Sequence, residues 1–151
     1  MSHTLRAVSK PEDWAAMHRL RRSTLFAPGR HGEEIAYDEN HPDDRSPGNQ
    51  CFLLWGDDAP IGVVRLDDRG EGVGVVRLVA IAPELQRQGH GRAMSALIDA
   101  EASRRGMYRL LINAHNRAAG FYEKTGWTRE TWDLRELVGI AAECVQMSKL
   151  L

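Results

Sequence analysis

Two glycines one residue apart, Gly89 and Gly91, stand between an apolar run that ends at Ala82 and a stretch of helical periodicity that begins at Ala93. No other feature of the chain limits its fold so tightly. The turn reads Gln86-Arg87-Gln88-Gly89-His90-Gly91-Arg92. A strand that ends, turns through Pro83 and opens directly into a helix leaves several backbone N–H groups without an internal acceptor. Glycine removes the side chains that would keep an anion from the backbone, the helix N-terminus adds roughly half a positive charge, and Arg87 and Arg92 add full ones. The stretch is built like a pyrophosphate cradle, although a lone pair of glycines also serves an ordinary tight turn. A P-loop would need Gly-Lys-Ser/Thr at the helix start, where this chain has Gly91-Arg92-Ala93. A dinucleotide fingerprint would need a third glycine, where Met94 stands, and an acidic residue closing a following strand. Neither fits.

The periodicity on either side of the turn sets an order of elements. Leu5 to Val8 reads as a short strand, and Pro11 suits the first turn of a helix whose apolar face runs through Trp14, Met17 and Leu20 to Leu25, until Pro28-Gly29 breaks it. His31 to Asn49 is acidic and proline-bearing, and reads as a short second helix followed by a loop. Cys51–Trp55 and Pro60–Leu66 form a hairpin across a polar turn, and a second turn at Asp67–Glu71 leads into the long apolar run Gly72–Ala82. After the glycine turn, Ala93, Met94, Leu97, Ile98 and Ala102 share one helical stripe that Gly106 ends. Tyr108–Asn113 is a strand of the buried kind, so the crossover makes it parallel to Gly72–Ala82. Ala114–Thr125 is predicted as a further helix stopped by Gly126, followed by strands at Trp127–Trp132 and Cys144–Leu150. Between those strands Asp133–Ala142 forms a helical turn or long loop. The expected fold class is α/β (α+β), a mixed central sheet of six to seven strands with an antiparallel meander and about four helices.

Composition narrows the function classes. A chain of 151 residues suits one domain, 1–151, and is short for two. With 27% charged residues and a formal charge of −1 it lacks the basic excess of nucleic-acid binders, so no nucleic acid partner is expected. No stretch approaches the ~20 apolar residues of a membrane span, and the first residues do not resemble a signal peptide, so no membrane partner and a cytoplasmic location are expected. Cys51 and Cys144 lie far apart with no metal-ligand spacing around them; they read as reduced thiols, and no metal site is expected.

Gln86-Arg87-Gln88-Gly89-His90-Gly91 resembles the Gln/Arg-x-x-Gly-x-Gly/Ala signature of the GNAT superfamily, the acyl-CoA-dependent N-acetyltransferases. A second stretch, "AHNRAAGFYEKTGW", resembles the superfamily's later motif, in which an Ala-containing helix bears Phe/Leu-Tyr and ends in Gly-Phe or Gly-Trp. The order of elements is similar over nearly the whole chain. The resemblance implies the GNAT fold, with the parallel strands on either side of the glycine turn splayed to admit the pantetheine arm of acetyl-CoA, the acyl donor. It implies cofactor contacts from the backbone of Val79, Ala80 and Ile81 to the pantetheine, and from Gln86, Arg87, Gln88, Gly89, His90, Gly91 and Arg92 to the pyrophosphate.

It also implies a catalytic role for Tyr122, since the family's matching tyrosine sits near the thioester sulfur and a phenol still protonated at neutral pH suits a general acid for the departing thiolate. A tyrosine on a core-facing helix is otherwise simply core. Seven residues before that tyrosine the family usually has asparagine, where this chain has His115 followed by Asn116; either could supply the cofactor contact, or it could be absent. A backbone N–H near Leu78 or Val79 would steady the oxyanion. The central strand carries no carboxylate to act as base, unlike many family members. Glu33, Glu34, Asp38 and Glu39 are the candidates for attracting a cationic amine to the substrate side, although acidic clusters are commonly only solvated surface. The implied activity is acetyl transfer to a primary amine of a small molecule. The rivals are a protein or peptide N-acetyltransferase, a non-catalytic acyl-CoA sensor and a structural domain without ligand. Family members are often dimers, so a homodimer stays open.

Overall fold

The computed structural model describes residues 2–30 and 35–151. Seven strands form one sheet in the order β1-β2-β3-β4-β5-β7-β6. They are β1 His3–Ala7, β2 Asn49–Gly56, β3 Ala59–Gly70, β4 Val73–Ile81, β5 Arg109–His115, β6 Thr128–Arg129 and β7 Cys144–Leu150. The α-helices among the described residues are α1 Pro11–Ser23, α2 His90–Arg104 and α3 Ala119–Lys124.

The period-two alternation of β2 and β3 sends apolar side chains to both faces, and each face is covered by a helix. Cys51, Leu53 and Val63 pack with Ala16, Met17 and Leu20 of α1. Phe52, Leu54, Val64 and Leu66 pack on the opposite side with Met94, Ile98 and Ala102 of α2. Ala119 of α3, Trp127 and Met147 extend that second core. Complete burial of a Leu or Met side chain stabilises by about 1.5–3 kcal/mol, so these two layers hold the sheet between them.

The sheet is antiparallel except between β4 and β5, and that exception makes the site. The parallel ladder joins Val73–Val76 to Arg109–Ile112 and then stops. Beyond it β4 stays with β3 as far as Ile81, while β5 stays with β7 as far as His115. The two strands therefore part. Their divergence coincides with a bulge in β4, where Leu78 and Val79 have no partner on β3 and Leu78 adopts φ +54°. A left-handed leucine costs roughly 1–2 kcal/mol, and such strain persists only where surrounding structure enforces it.

Several expected bounds are corrected. The helix expected over Ala114–Thr125 is divided: β5 runs on through His115, a 3-10 turn spans Asn116–Ala118, and only Ala119–Lys124 is α-helical. Pairing of Ala114 and His115 with β7 outweighs their local preference for helix. Helix α1 stops at Ser23 because Thr24 leaves helical geometry and donates its hydroxyl to Leu20 O at 2.6 Å. The short second helix is a 3-10 turn at Pro42–Arg45; residues 31–34 lie outside the described residues. The strand expected to reach Trp132 ends at Arg129, since Gln146 Oε1 accepts the N–H groups of both Trp132 and Asp133 at 2.8 Å and draws the chain off the sheet edge. The segment after it carries two 3-10 turns, Leu134–Glu136 and Gly139–Ala141.

Candidate active site

Two cavities open where β4 and β5 part. The larger, about 650 Å³, runs from Val79, Ala80 and Ile81 to the glycine turn and is closed on the far side by Phe121 and Tyr122. The smaller, about 460 Å³, lies on the α1 side, between Tyr37, Asp38, Arg77, Leu78 and Cys144. Leu25, Arg30, Val76, Val79, Ala118 and Tyr122 line both. The cavities thus meet beside the β4 bulge and the phenol of Tyr122.

The glycine turn has the geometry of an anion nest. Arg87 has φ +64° and Gly89 φ +87°, and α2 begins at His90. Successive left- and right-handed residues turn their N–H groups to one side. Among the described residues no backbone acceptor takes the N–H groups of Arg87 to Arg92. Gly89 is required by its φ rather than by space, for a Cβ there would meet no atom within 4 Å, which leaves its outer side open. Four arginines, Arg30, Arg87, Arg92 and Arg117, line the larger cavity with no carboxylate among the described lining residues. None of the four guanidinium groups has a partner among the described residues. Unpaired cations around exposed amides form a site for several negative charges, which suits the phosphates of coenzyme A.

The remaining candidates fall in different places. Val79 and Ile81 are half-buried rather than core, because they face the gap. Gln86 donates its side chain to Ile81 O at 3.0 Å and so ties the turn back to β4. Gln88 reaches Glu84 O at 3.3 Å, away from the cavity. His90 does not turn its ring toward solvent or a phosphate. The ring is 6% exposed and its Nδ1 lies 2.8 Å from His3 Nε2, which leaves only its backbone N–H for an anion. His115 lines the smaller cavity, and its Nδ1 accepts the N–H of Arg117 at 3.2 Å. Asn116 lines neither, since its amide donates to Glu143 O at 2.8 Å. Of the acidic residues, Asp38 lines the smaller cavity, whereas Glu39 is drawn out to Arg22 at 2.5 Å. Glu33 and Glu34 lie outside the described residues.

Tyr122 packs edge-on against Trp127, with ring centroids 5.9 Å apart. Its hydroxyl has no hydrogen-bond partner among the described residues. Burial, reinforced by the nearby Cys144 thiol, pushes the phenol above its ordinary value. It therefore stays protonated, and able to donate, at neutral pH.

The floor of the smaller cavity is a chain of ion pairs that sequence reasoning missed. Asp44 is buried between Arg21 at 2.8 Å and Arg65 at 3.0 Å. Arg65 also pairs with Asp67 at 2.7 Å, Asp67 with Arg77 at 2.8 Å, and Arg77 with Glu136 at 2.7 Å. Burial raises the Asp44 carboxyl, but its two arginines outweigh that and hold it below the carboxylate range. Glu136 shows the same balance through Arg77. The only hints in the sequence were Arg77 interrupting an apolar run and the Arg65-x-Asp67 alternation. Arg30 and Arg117 carried no signal.

The acetyltransferase (GNAT) domain model matches residues 29–151. The chain belongs to the GNAT acetyltransferase family. It is an acyl-CoA-dependent acyltransferase, with acetyl-CoA as donor. No curated protein matches the sequence. Among solved structures, a protein from Lactobacillus plantarum assigned as an N-acetyltransferase superimposes with TM-score 0.79 at 23% identity, covering 100% of this chain and 99% of that one. The ribosomal-protein-S18-alanine N-acetyltransferase of Escherichia coli gives 0.75 at 16% identity over 99% and 94% of the two chains. A chimeric spermidine N-acetyltransferase from Vibrio cholerae gives 0.72 at 19%, over 99% and 96%. At these identities the likeness is one of fold, and the GNAT fold is the one that this sheet, with its parted β4 and β5, adopts.

Proposed function

We propose that this enzyme moves the acetyl group of acetyl-CoA to a primary amine of a small molecule, with Tyr122 as the general acid. The observation that carries the reading is the meeting of two cavities at Tyr122: one lined by arginines without partners among the described residues, the other carrying Asp38, Asp43 and Asp44 beside further arginines. The pyrophosphate lies on the amides from Gln86 to Arg92, with Arg87, Arg92, Arg117 and Arg30 around the phosphates, and the pantetheine runs beside Val79, Ala80 and Ile81. The amine enters the smaller cavity past Asp38, whose charge favours a cation. It attacks the thioester carbonyl directly, a backbone N–H at the Leu78–Val79 bulge supports the oxyanion, and the thiolate leaves with the Tyr122 proton. A cavity of about 460 Å³ lies in the size range of small-molecule sites. The spermidine enzyme among the structural neighbours is in keeping with that choice, while the ribosomal-protein enzyme supports a protein acceptor as the second reading.

The protein is expected to work as one domain, 1–151, in the cytoplasm; no helix among the described residues is long and apolar enough to cross a membrane. Coenzyme A release from acetyl-CoA, measured against polyamines, aminoglycosides, amino acids and short peptides, tests the reading. Turnover with a small amine supports it, turnover with peptides alone favours the second reading, and binding without turnover would make the chain a sensor.

A further inference from the structure

We propose that Tyr37 and His18 form the proton outlet of the acceptor cavity: the Tyr37 oxygen takes a proton from the attacking nitrogen while its own proton passes to His18 Nδ1. This rests on reading the smaller cavity as the acceptor site.

Amine acetylation releases a proton from nitrogen, and β4 supplies no carboxylate to receive it. The carboxylates beneath the cavity are poor receivers, since buried Asp44 is clasped by Arg21 and Arg65, and half-buried Glu136 by Arg77. Asp38, Asp43 and His41 lie exposed at the rim. The described histidines of the wall are oriented as donors. His41 Nδ1 accepts the N–H of Asp43 and His115 Nδ1 that of Arg117, so each neutral ring carries its proton on Nε2 and offers no lone pair to the cavity.

Tyr37 differs. It is half-buried in the cavity wall, its oxygen receives Arg21 Nη1–H at 3.3 Å, and it lies 2.5 Å from His18 Nδ1. Arg21 can only donate, so the phenol hydrogen is free to point at His18, and Nδ1 accepts it. The ring pair is held by Trp14 against His18 at 6.0 Å and Phe26 against Tyr37 at 4.8 Å. The groups acting on His18 are Arg21 and Arg22 from α1, with Glu39 and Asp44 opposite. Burial comes first, then Arg21, and together they bring the imidazole below its ordinary value, so it is neutral and open at neutral pH. Burial likewise lifts the Tyr37 phenol, partly opposed by Arg21, which keeps it protonated between transfers.

The step balances. As the N–C bond forms, the nitrogen becomes cationic and far more acidic than a free alkylammonium, so a weak base is enough. One N–H proton goes to Tyr37 O, the former Tyr37 proton goes to His18 Nδ1, and the imidazolium later releases a proton to water. Collapse then breaks the C–S bond, with the Tyr122 proton going to sulfur and a proton from water restoring the phenol. Tyr37 is the catalytic residue, and His18 acts through it.

The full-length protein, Tyr37→Phe and His18→Gln should be compared by coenzyme A release from acetyl-CoA, with spermidine as acceptor probe and without amine, between about pH 5.5 and 9.5. Glutamine keeps an acceptor for the Tyr37 hydroxyl but does not titrate. The expected result is a fall in kcat of about 10²-fold in each variant, with KM for acetyl-CoA unchanged and the wild-type acidic limb below pH 6.5 lost. Wild-type turnover with variants within about threefold, or variants that keep the limb, would overturn the relay. Long-range ¹H–¹⁵N spectra of the His18 ring decide the matter independently of turnover: a proton on Nε2 supports it, and one on Nδ1 overturns it. Failure of the acetyltransferase reading looks different, because the wild type would then neither release coenzyme A nor gain thermal stability with acetyl-CoA.

Discussion

Arg77 on β4 gives two hydrogen bonds to Glu136, at 2.7 and 3.2 Å, joining the strand that borders both cavities to the segment between β6 and β7. Asn113 on β5 adds a bond to the same carboxylate at 3.3 Å. Glu136 therefore spans the gap between the parted strands and fixes its width. Glu136→Gln should lower stability by about 1.5–3 kcal/mol, the range for hydrogen bonds to charged groups. Denaturant unfolding measures this. A double-mutant cycle with Arg77→Met should show the two effects to be non-additive.

Asp44 is the deeper member of the same chain of charges. Asp44→Asn leaves Arg21 and Arg65 short of a buried counter-charge, and a loss of about 3–5 kcal/mol is expected in chemical denaturation. Asp44→Glu should fail as well, since the site has no room for a longer side chain at 5% exposure.

The same carboxylates set the response to acid. Asp44 and Glu136 titrate lower in the folded chain than their ordinary values of 3.8 and 4.5. Their contribution is thus complete above those values and is lost as pH falls through the depressed folded values. Thermal midpoints should hold level above pH 5 and drop below about pH 4.5. Asp44→Asn should flatten the drop.

Tyr122→Phe should leave the fold intact, because the hydroxyl has no partner among the described residues to lose. Its kcat is expected to fall about 10²-fold with KM for acetyl-CoA nearly unchanged. A large rise in KM instead would give the ring a binding role.

The turn should respond to backbone and charge separately. Gly89→Ala forces a Cβ into φ +87° at a cost of about 1 kcal/mol, and weakens coenzyme A binding by distorting the nest. Arg87→Ala and Arg92→Ala should each weaken binding while reducing its salt dependence, since exposed charges are screened over a Debye length of about 10 Å at 0.1 M. Titration calorimetry at two salt concentrations reads both.

The fold and the glycine turn were largely legible in the sequence, because they depend on local rules. Glycine at a left-handed position, a period-two meander and a stripe from Met94 to Ala102 announce themselves within a few residues. The surroundings of the smaller cavity were not. Arg77 meets Glu136 only after the chain has crossed the sheet, and Tyr37 meets His18 only because α1 folds over the sheet and returns the following loop to its side. Such pairings are tertiary, and no spacing encodes them. The helix expected at Ala114 failed similarly, since β7 captured a segment whose own preference was helical.

Coenzyme A titrated into ¹⁵N-labelled protein, read by backbone amide shifts, tests the central claim most directly. The amides from Arg87 to Arg92 should move saturably, together with those of Val79 to Ile81. Saturable binding that leaves the turn unmoved, or no binding at all, would contradict the placement of the diphosphate on those amides and the site built around it.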